Sequence, residues 1–229
     1  MRRVLVVSAH PDDADFACGG TIAALVAQGD RVSLLVATSG EAGLPVGEVD
    51  TSLRRREQQA AAAVLGVSSV DFLDHPDGGV RPSPDLRRDI TASIRALRPD
   101  LLITHSPRRN LRGLRSSHPD HTAVGEAALS AVYPDARNPR SYGDLLDQGL
   151  EPYVVPEVWL HGTEECDWPV DIRAWFATKV RAVRCHESQL AGAGSDVEEF
   201  LRNWGREVAQ QHNLGADNLA EEFLRLDTR

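Results

Sequence analysis

Residues Ala9 to Gly20 read AHPDDADFACGG, which sets one imidazole, His10, two positions before an adjacent pair of carboxylates, Asp12 and Asp13. Neighbouring carboxylates repel, and each must stay hydrated or find a partner. His-Pro-Asp occurs twice more, as HPDG at 75–78 and HPDH at 118–121. Only the first and third copies carry a second metal-capable side chain three residues after the histidine. The middle copy ends in Gly78 and is the weakest ligand candidate, although Asp77 can still reach into the same region.

His10, Asp13 and one histidine of HPDH make a His₂/carboxylate set, the kind with which catalytic zinc sites leave a fourth position for water. Side chains of adjacent residues generally point apart, so one aspartate of the pair binds a metal and the other does not. The second can then take a proton from water on the metal, whose pKa falls to roughly 7. A cation between the two aspartates also relieves their repulsion. In HPDH, Pro119 suits the first position of a helix and Asp120 its first turn. His118 and His121 are then three apart and share a face, so one can bind metal while the other meets a substrate. His105, His161 and His212 are read as ordinary histidines with no part in this chemistry.

The elements that position these residues alternate along the first 135 positions. Near-continuous apolar runs predict strands at RRVLVVSA, RVSLLVAT, SVDFLD and DLLITH, with a further strand at VVPEVWLHG. Between them, GGTIAALVAQG, SLRRREQQAAAAVLG and SPDLRRDITASIRALRP read as helices. This alternation predicts a doubly wound, mostly parallel α/β sheet of Rossmann-like type, in the order 3-2-1-4-5, flanked by helices. Such sheets bind ligands beyond the carboxyl ends of their strands, where the order reverses. HPDD follows strand one and HPDH the loop after strand four, so the two motifs should face each other across that point. The stretch 133–156, rich in Pro, Gly and Asn, reads as a surface excursion, and the last fifty residues as helical.

The chain has 229 residues, 41% of them hydrophobic and 26% charged, which suits one globular domain spanning 1–229. A net charge of −9 argues against nucleic-acid or anionic-membrane partners. The apolar run after Arg2 and Arg3 breaks at once into HPDD, without the small-residue site of a signal peptide. Three widely spaced cysteines, with no CxxC pair, fit reduced thiols and a cytoplasmic protein.

AHPDDADFACGGTIA and HPDHTAVGEAA together closely resemble the LmbE-like (PIG-L) family of zinc-dependent N-acetylglucosaminyl deacetylases. TSGEAG, RRREQQAAAAVLG, HPDG, VDIRAWFATKVRAVRCHESQ and LAEEF extend the resemblance over nearly the whole chain. It implies one zinc ion per chain held by His10, Asp13 and His121. It also implies Asp12 as general base, His118 as general acid or stabiliser of the tetrahedral intermediate, and Asp120 orienting His118. Arg54 and Asp77 would touch the substrate, and His186 would neighbour the site. Where many relatives read HPDDE, this chain has Ala14 and then Asp15, a difference of subfamily rather than of metal site.

The implied reaction removes an acetyl group from an N-acetylglucosamine-type sugar or conjugate, giving acetate and a free amine. Amide cleavage in a thiol–sugar conjugate is the alternative. A metallo-phosphoesterase would need more ligands than these loops provide, and a non-catalytic sugar-binding relative would not need a base and an acid. A dehydrogenase would place a glycine-rich phosphate loop where HPDD stands. Arg108, Arg109, Arg112 and Arg115 hint at an anionic substituent near the mouth. The expected partner is a small N-acetylated amino sugar; relatives of this kind are often oligomers, so a homo-oligomer is also among the expectations.

Overall fold

A computed structural model of the protein describes residues 1–44, 50, 52–111, 113–114, 117–191, 196–215 and 217–229. The first half alternates as expected: β1 (Arg3–Ser8), α1 (Asp13–Ala27), β2 (Arg31–Val36), α2 (Leu53–Leu65), β3 (Ser69–Phe72), α3 (Pro84–Leu97), β4 (Leu101–His105) and α4 (Pro119–Ser130). There follow α5 (Gly143–Asp147), β5 (Glu157–His161), β6 (Trp168–Asp171), α6 (Phe176–Val183), α7 (Glu187–Leu190), α8 (Val197–Gln211) and β7 (Ala220–Asp227).

Among the described residues, seven strands form one sheet in the order β3-β2-β1-β4-β5-β7-β6. The first five neighbours pair in parallel, whereas β7 runs antiparallel to both β5 and β6. The order reverses between β1 and β4, as the alternation predicts. Alternate residues of β1 feed two cores. Leu5 and Val7 pack with Ile90, Ile94 and Val124 on one face, while Val4 and Val6 pack with Ile22, Leu34 and Ala61 on the other. Burial on both faces is why these strands read as continuous apolar runs. Among the described residues, no helix is long and apolar enough to cross a membrane.

Helix ends follow local chemistry. Ser83 caps α3 by accepting from the Leu86 amide, with Pro84 in the first turn, and Gly66 closes α2 at φ 77°. Gly125 of α4 lies so close to the carbonyl of His105 that no Cβ fits there. Bare backbone at this point lets the helix that carries HPDH rest on the end of β4.

Three features differ from the sequence reading. The first helix begins at Asp13, six residues before the predicted start, because α1 is two helical pieces joined at a kink at Cys18 (φ −140°, ψ 20°). The excursion at 133–156 does not lie wholly on the surface. Arg95 of α3 donates to the carbonyls of Asp135, Ala136, Asn138 and Ser141, and Leu145 of α5 is fully buried. The last fifty residues are not all helical, since β7 lies among them and completes the sheet. AEEFLRLD, within the stretch read as helical, is this strand, and its Glu221 is buried.

Glu221 has a purpose there. The kink exposes fresh amides in α1, and the Glu221 carboxylate accepts from the Gly20 and Thr21 amides at 2.9 and 2.7 Å and from the Thr21 hydroxyl at 2.6 Å. Lys179, the only lysine of the chain, pairs with the same carboxylate at 2.6 Å, both side chains being buried. Removing one member of a buried pair strands the other's charge. Lys179→Met is therefore expected to lower the unfolding free energy by about 3–5 kcal/mol in a guanidinium titration; an unchanged midpoint would contradict the role given to this pair.

Candidate active site

At the carboxyl end of β1 the chain turns sharply through Asp12, whose φ of 96° is rare for a residue with a side chain. That turn sends the two aspartates in different directions. Asp13, at the head of α1, faces imidazoles: its Oδ1 lies 3.0 Å from His121 Nε2, and its Oδ2 lies 3.4 Å from His10 Nδ1 and 3.3 Å from His105 Nε2. The amide of His10 also donates to Asp13 Oδ2 at 2.7 Å. Asp12 instead meets Arg54 Nη2 at 3.0 Å, while its own amide donates to Gln58 Oε1 at 2.8 Å.

The far edge of the His10 ring is held by carboxylates. Its Nε2 lies 3.0 Å from Asp77 Oδ1 and 3.2 Å from Asp120 Oδ2. Asp120 is fully buried and also accepts from the amides of Gly78 and Val80. The turn after β3 is thereby tied to the start of α4. Asp120 was expected to orient His118, but its carboxylate rests on His10; its backbone amide is what donates to His118 Nδ1, at 3.2 Å. That bond caps α4 and leaves the Nε2 of His118 as the protonated nitrogen of the neutral ring.

A cavity of about 320 Å³ opens over these groups, lined by His10, Asp12, Arg54, Asp77, Gly78 and His118 among others. It lies beyond the strand ends, at the point where the sheet order reverses. Arg54, first of the arginine triplet, is buried, donates to the carbonyls of Gly40 and Pro11, and presents one edge to the cavity. Arg55 turns to Ser39 and Asp74, and Arg56 to Asp50 and Ser52. Arg108 pairs with Glu165 on the surface, and Arg112 and Arg115 lie outside the described residues.

His10, Asp13 and His121 each offer a donor atom, all within 4.8 Å of one another, and so form a group able to hold a metal ion. The donor chemistry fits, because two imidazoles and one carboxylate are the usual set for a divalent metal that keeps an open position. His10, His118 and Asp120 form a second such group. There the carboxylate already accepts two amides as well as His10, the arrangement of a residue that steadies a ligand.

Electrostatics follow from this crowding. Burial opposes charge on Asp13, but His121 and His10 hold its carboxyl well below the usual range. Burial also works against protonated His10, yet Asp13, Asp120 and Asp77 push its pKa up to about 12 in the metal-free protein. Asp12 is pushed up to about 7 by burial and by Asp13, against the pull of Arg54. Burial and the nearby His10 lower His118, which keeps it neutral.

Two histidines read as ordinary belong to this site's surroundings. His105 stacks on His121 with ring centres 4.2 Å apart and also accepts from the Ala9 amide. His161 lies beneath it at 4.5 Å. The usable signal was the sheet itself: His105 and His161 end neighbouring parallel strands at the same register, beside the reversal of strand order. His212 does stand apart, paired with Glu222, and His75 of the middle motif pairs with Asp89 of α3. His186 does not line the cavity; it is buried against Asp15 at 2.9 Å.

Fold and site together define a doubly wound α/β protein with a His/Asp group able to hold a metal ion at its switch point. The family model described as PIG-L, GlcNAc-PI de-N-acetylase, matches residues 5–132, more than half of the chain, and the protein belongs to that family. The diacetylchitobiose deacetylase of Thermococcus kodakarensis is 33% identical over 98% of this chain and 83% of its own length. The 1D-myo-inositol 2-acetamido-2-deoxy-alpha-D-glucopyranoside deacetylase of Rhodococcus erythropolis is 31% identical, over 88% and 86%. Among solved structures, the N,N'-diacetylchitobiose deacetylase of Pyrococcus horikoshii superposes with a TM-score of 0.87 at 28% identity, covering 99% of this chain and 84% of that one.

The burial of His105 gives a direct test. Burial and the neighbouring His121 lower its pKa from 6.5 to about 4. In the unfolded chain it takes up a proton near 6.5, so its contribution to stability is complete above that pH and is lost as pH falls toward about 4. Nitrogen NMR of the metal-free protein should show His105 still neutral at pH 5.5; a protonated His105 at that pH would contradict the packing described.

Proposed function

We propose that this protein is a zinc-dependent N-deacetylase that hydrolyses the acetamide of an N-acetylglucosamine unit in a small sugar or sugar conjugate, releasing acetate and a free amine. The observation that carries the reading is that one cavity is lined at once by Asp12, by His118 and by His10 of the metal group. Its volume, about 320 Å³, has room for one sugar ring. Family membership supports the same reaction, as do the activities in the names of the relatives.

In this reading, one domain spanning 1–229 would hold one zinc ion through His10, Asp13 and His121. When bound, zinc supplies a polarised acetyl carbonyl and a water acidified toward neutrality. Asp12, whose carboxylate lines the cavity beside the metal group, takes the proton of the attacking water. His118 is neutral with its proton on Nε2, so it donates a hydrogen bond to the carbonyl oxygen as negative charge develops there. Asp12, now carrying the proton taken from the water, can deliver it to the departing amine, while His118 keeps its own. Asp77 and Arg54, which both line the cavity, give hydrogen-bond partners for the ring hydroxyls. Asp120 keeps His10 turned toward Asp13. Three free cysteines support a cytoplasmic place of work.

Free-amine release should be measured on diacetylchitobiose, N-acetylglucosaminyl-inositol and N-acetylglucosaminyl-malate, before and after chelation and zinc restoration. The expected result is release that chelation abolishes and zinc restores. A zinc-loaded protein that releases no amine from any of them would overturn the reading. Asp12→Asn should lower kcat by about 10²–10⁴-fold while leaving metal content unchanged; near-normal turnover in that variant would remove Asp12 from its role.

A further inference from the structure

We infer that Gln58, Asp15 and His186 are positioning residues that hold the Asp12 carboxylate in its working orientation through the backbone of Asp12. The inference rests on the deacetylase reading only in giving Asp12 a chemical task. Its structural content stands on the strained turn.

Asp12 has φ 96° and ψ −31°, outside the regions an ordinary L-residue favours. Such a conformation is strained and persists only where the surroundings enforce it. Two side chains of α2 do the enforcing. Arg54 grips the carbonyl of Pro11 at 2.6 Å, and Gln58 Oε1 accepts the amide of Asp12 at 2.8 Å.

The Gln58 amide needs its own reason to present oxygen rather than nitrogen to Asp12. Its Nε2 donates to Asp15 Oδ2 at 2.8 Å. Were the amide reversed, its nitrogen would face a backbone N–H and its oxygen a carboxylate, so both contacts would become repulsive. Asp15 therefore selects the orientation of Gln58 that binds Asp12. Asp15 is in turn fixed by His186, whose Nε2 lies 2.9 Å from the same Oδ2. All three side chains are shielded from water: Gln58 is 1% exposed, and Asp15 and His186 are 0% exposed. In a dry setting a misdirected amide has no water to turn to.

The segment carrying His186 is anchored by its neighbours in the sequence HESQ. Ser188 donates to Glu57 from both its amide and its hydroxyl, at 2.8 and 2.6 Å, and Gln189 donates to the carbonyl of Gly43 at 3.3 Å. Glu57 neighbours Gln58 on α2, and Gly43 lines the cavity. The late segment 186–189 thus clamps the wall of the cavity and the support of the base at the same time. This accounts for Asp15 and HESQ, neither of which takes part directly in the proposed reaction.

The test uses the whole zinc-loaded protein with Gln58→Leu, His186→Leu and His186→Gln. Gln58→Leu removes the acceptor of the Asp12 amide, and His186→Leu removes the donor to Asp15. His186→Gln restores an amide donor near the position of Nε2. Misplacing a reacting group by about 1 Å can cost on the order of 10²-fold in rate. Gln58→Leu and His186→Leu should lose kcat to that order, with KM and zinc content unchanged, and His186→Gln should recover most of it. A residue of merely structural value would lower the unfolding midpoint and leave kcat per folded molecule intact, and that outcome overturns the inference.

A crystal structure of whichever leucine variant folds gives a readout independent of turnover. Asp12 should relax to negative φ; Asp12 still at about +96° in that variant would overturn the inference even if the proposed substrate class proves wrong.

Discussion

Two carboxylates joined by a single peptide bond cannot share a water-poor pocket without a means of keeping them apart. Here the means is the backbone of Asp12. Its positive φ turns Asp13 toward His10, His105 and His121 and leaves Asp12 facing Arg54. Each carboxylate then has a different environment, and the environments set different chemistry. Asp13 is held charged by imidazoles, whereas Asp12 is pushed toward neutrality by burial and by Asp13 itself. Two groups of one type acquire separate roles because their surroundings move their pKa values apart.

Much of the fold serves that division. The parallel strands bring the ends of β1 and β4 together, and the absence of a side chain at Gly125 lets α4 sit against the end of β4. The kink in α1 allows its first turn to carry Asp13 and Asp15 in a direction independent of the remaining helix. Glu221, from the last strand, caps the second piece and is neutralised by Lys179. Residues at opposite ends of the chain therefore stabilise the same helix.

The parallel half of the sheet was legible because strands buried on both faces appear as uninterrupted Val, Leu and Ile. The main motifs were legible because HPDD and HPDH each pack several functional groups into four residues. What escaped was whatever depends on pairing across the fold. His105 and His161 are far apart in sequence and become neighbours only through strand register. The partner of Asp120 follows from the approach of the Gly78 turn, which no local pattern announces. β7 was hidden because Glu221 and Glu222 mimic a solvated helix face, although one of them is a buried cap. The early start of α1 was hidden because a helix broken at Cys18 has no single period.

The central claim is that His10, Asp13 and His121 gather to bind one cation, and calorimetric titration of the metal-free protein with zinc tests it most directly. Against burial, Asp13, Asp120 and Asp77 raise the pKa of His10 in the metal-free protein, so binding is expected to expel about one proton and to strengthen as pH rises. The account predicts one zinc per chain, that proton release, and loss of the binding isotherm in Asp13→Ala. An isotherm unchanged by Asp13→Ala, or one that requires two equivalent ions per chain, would contradict it.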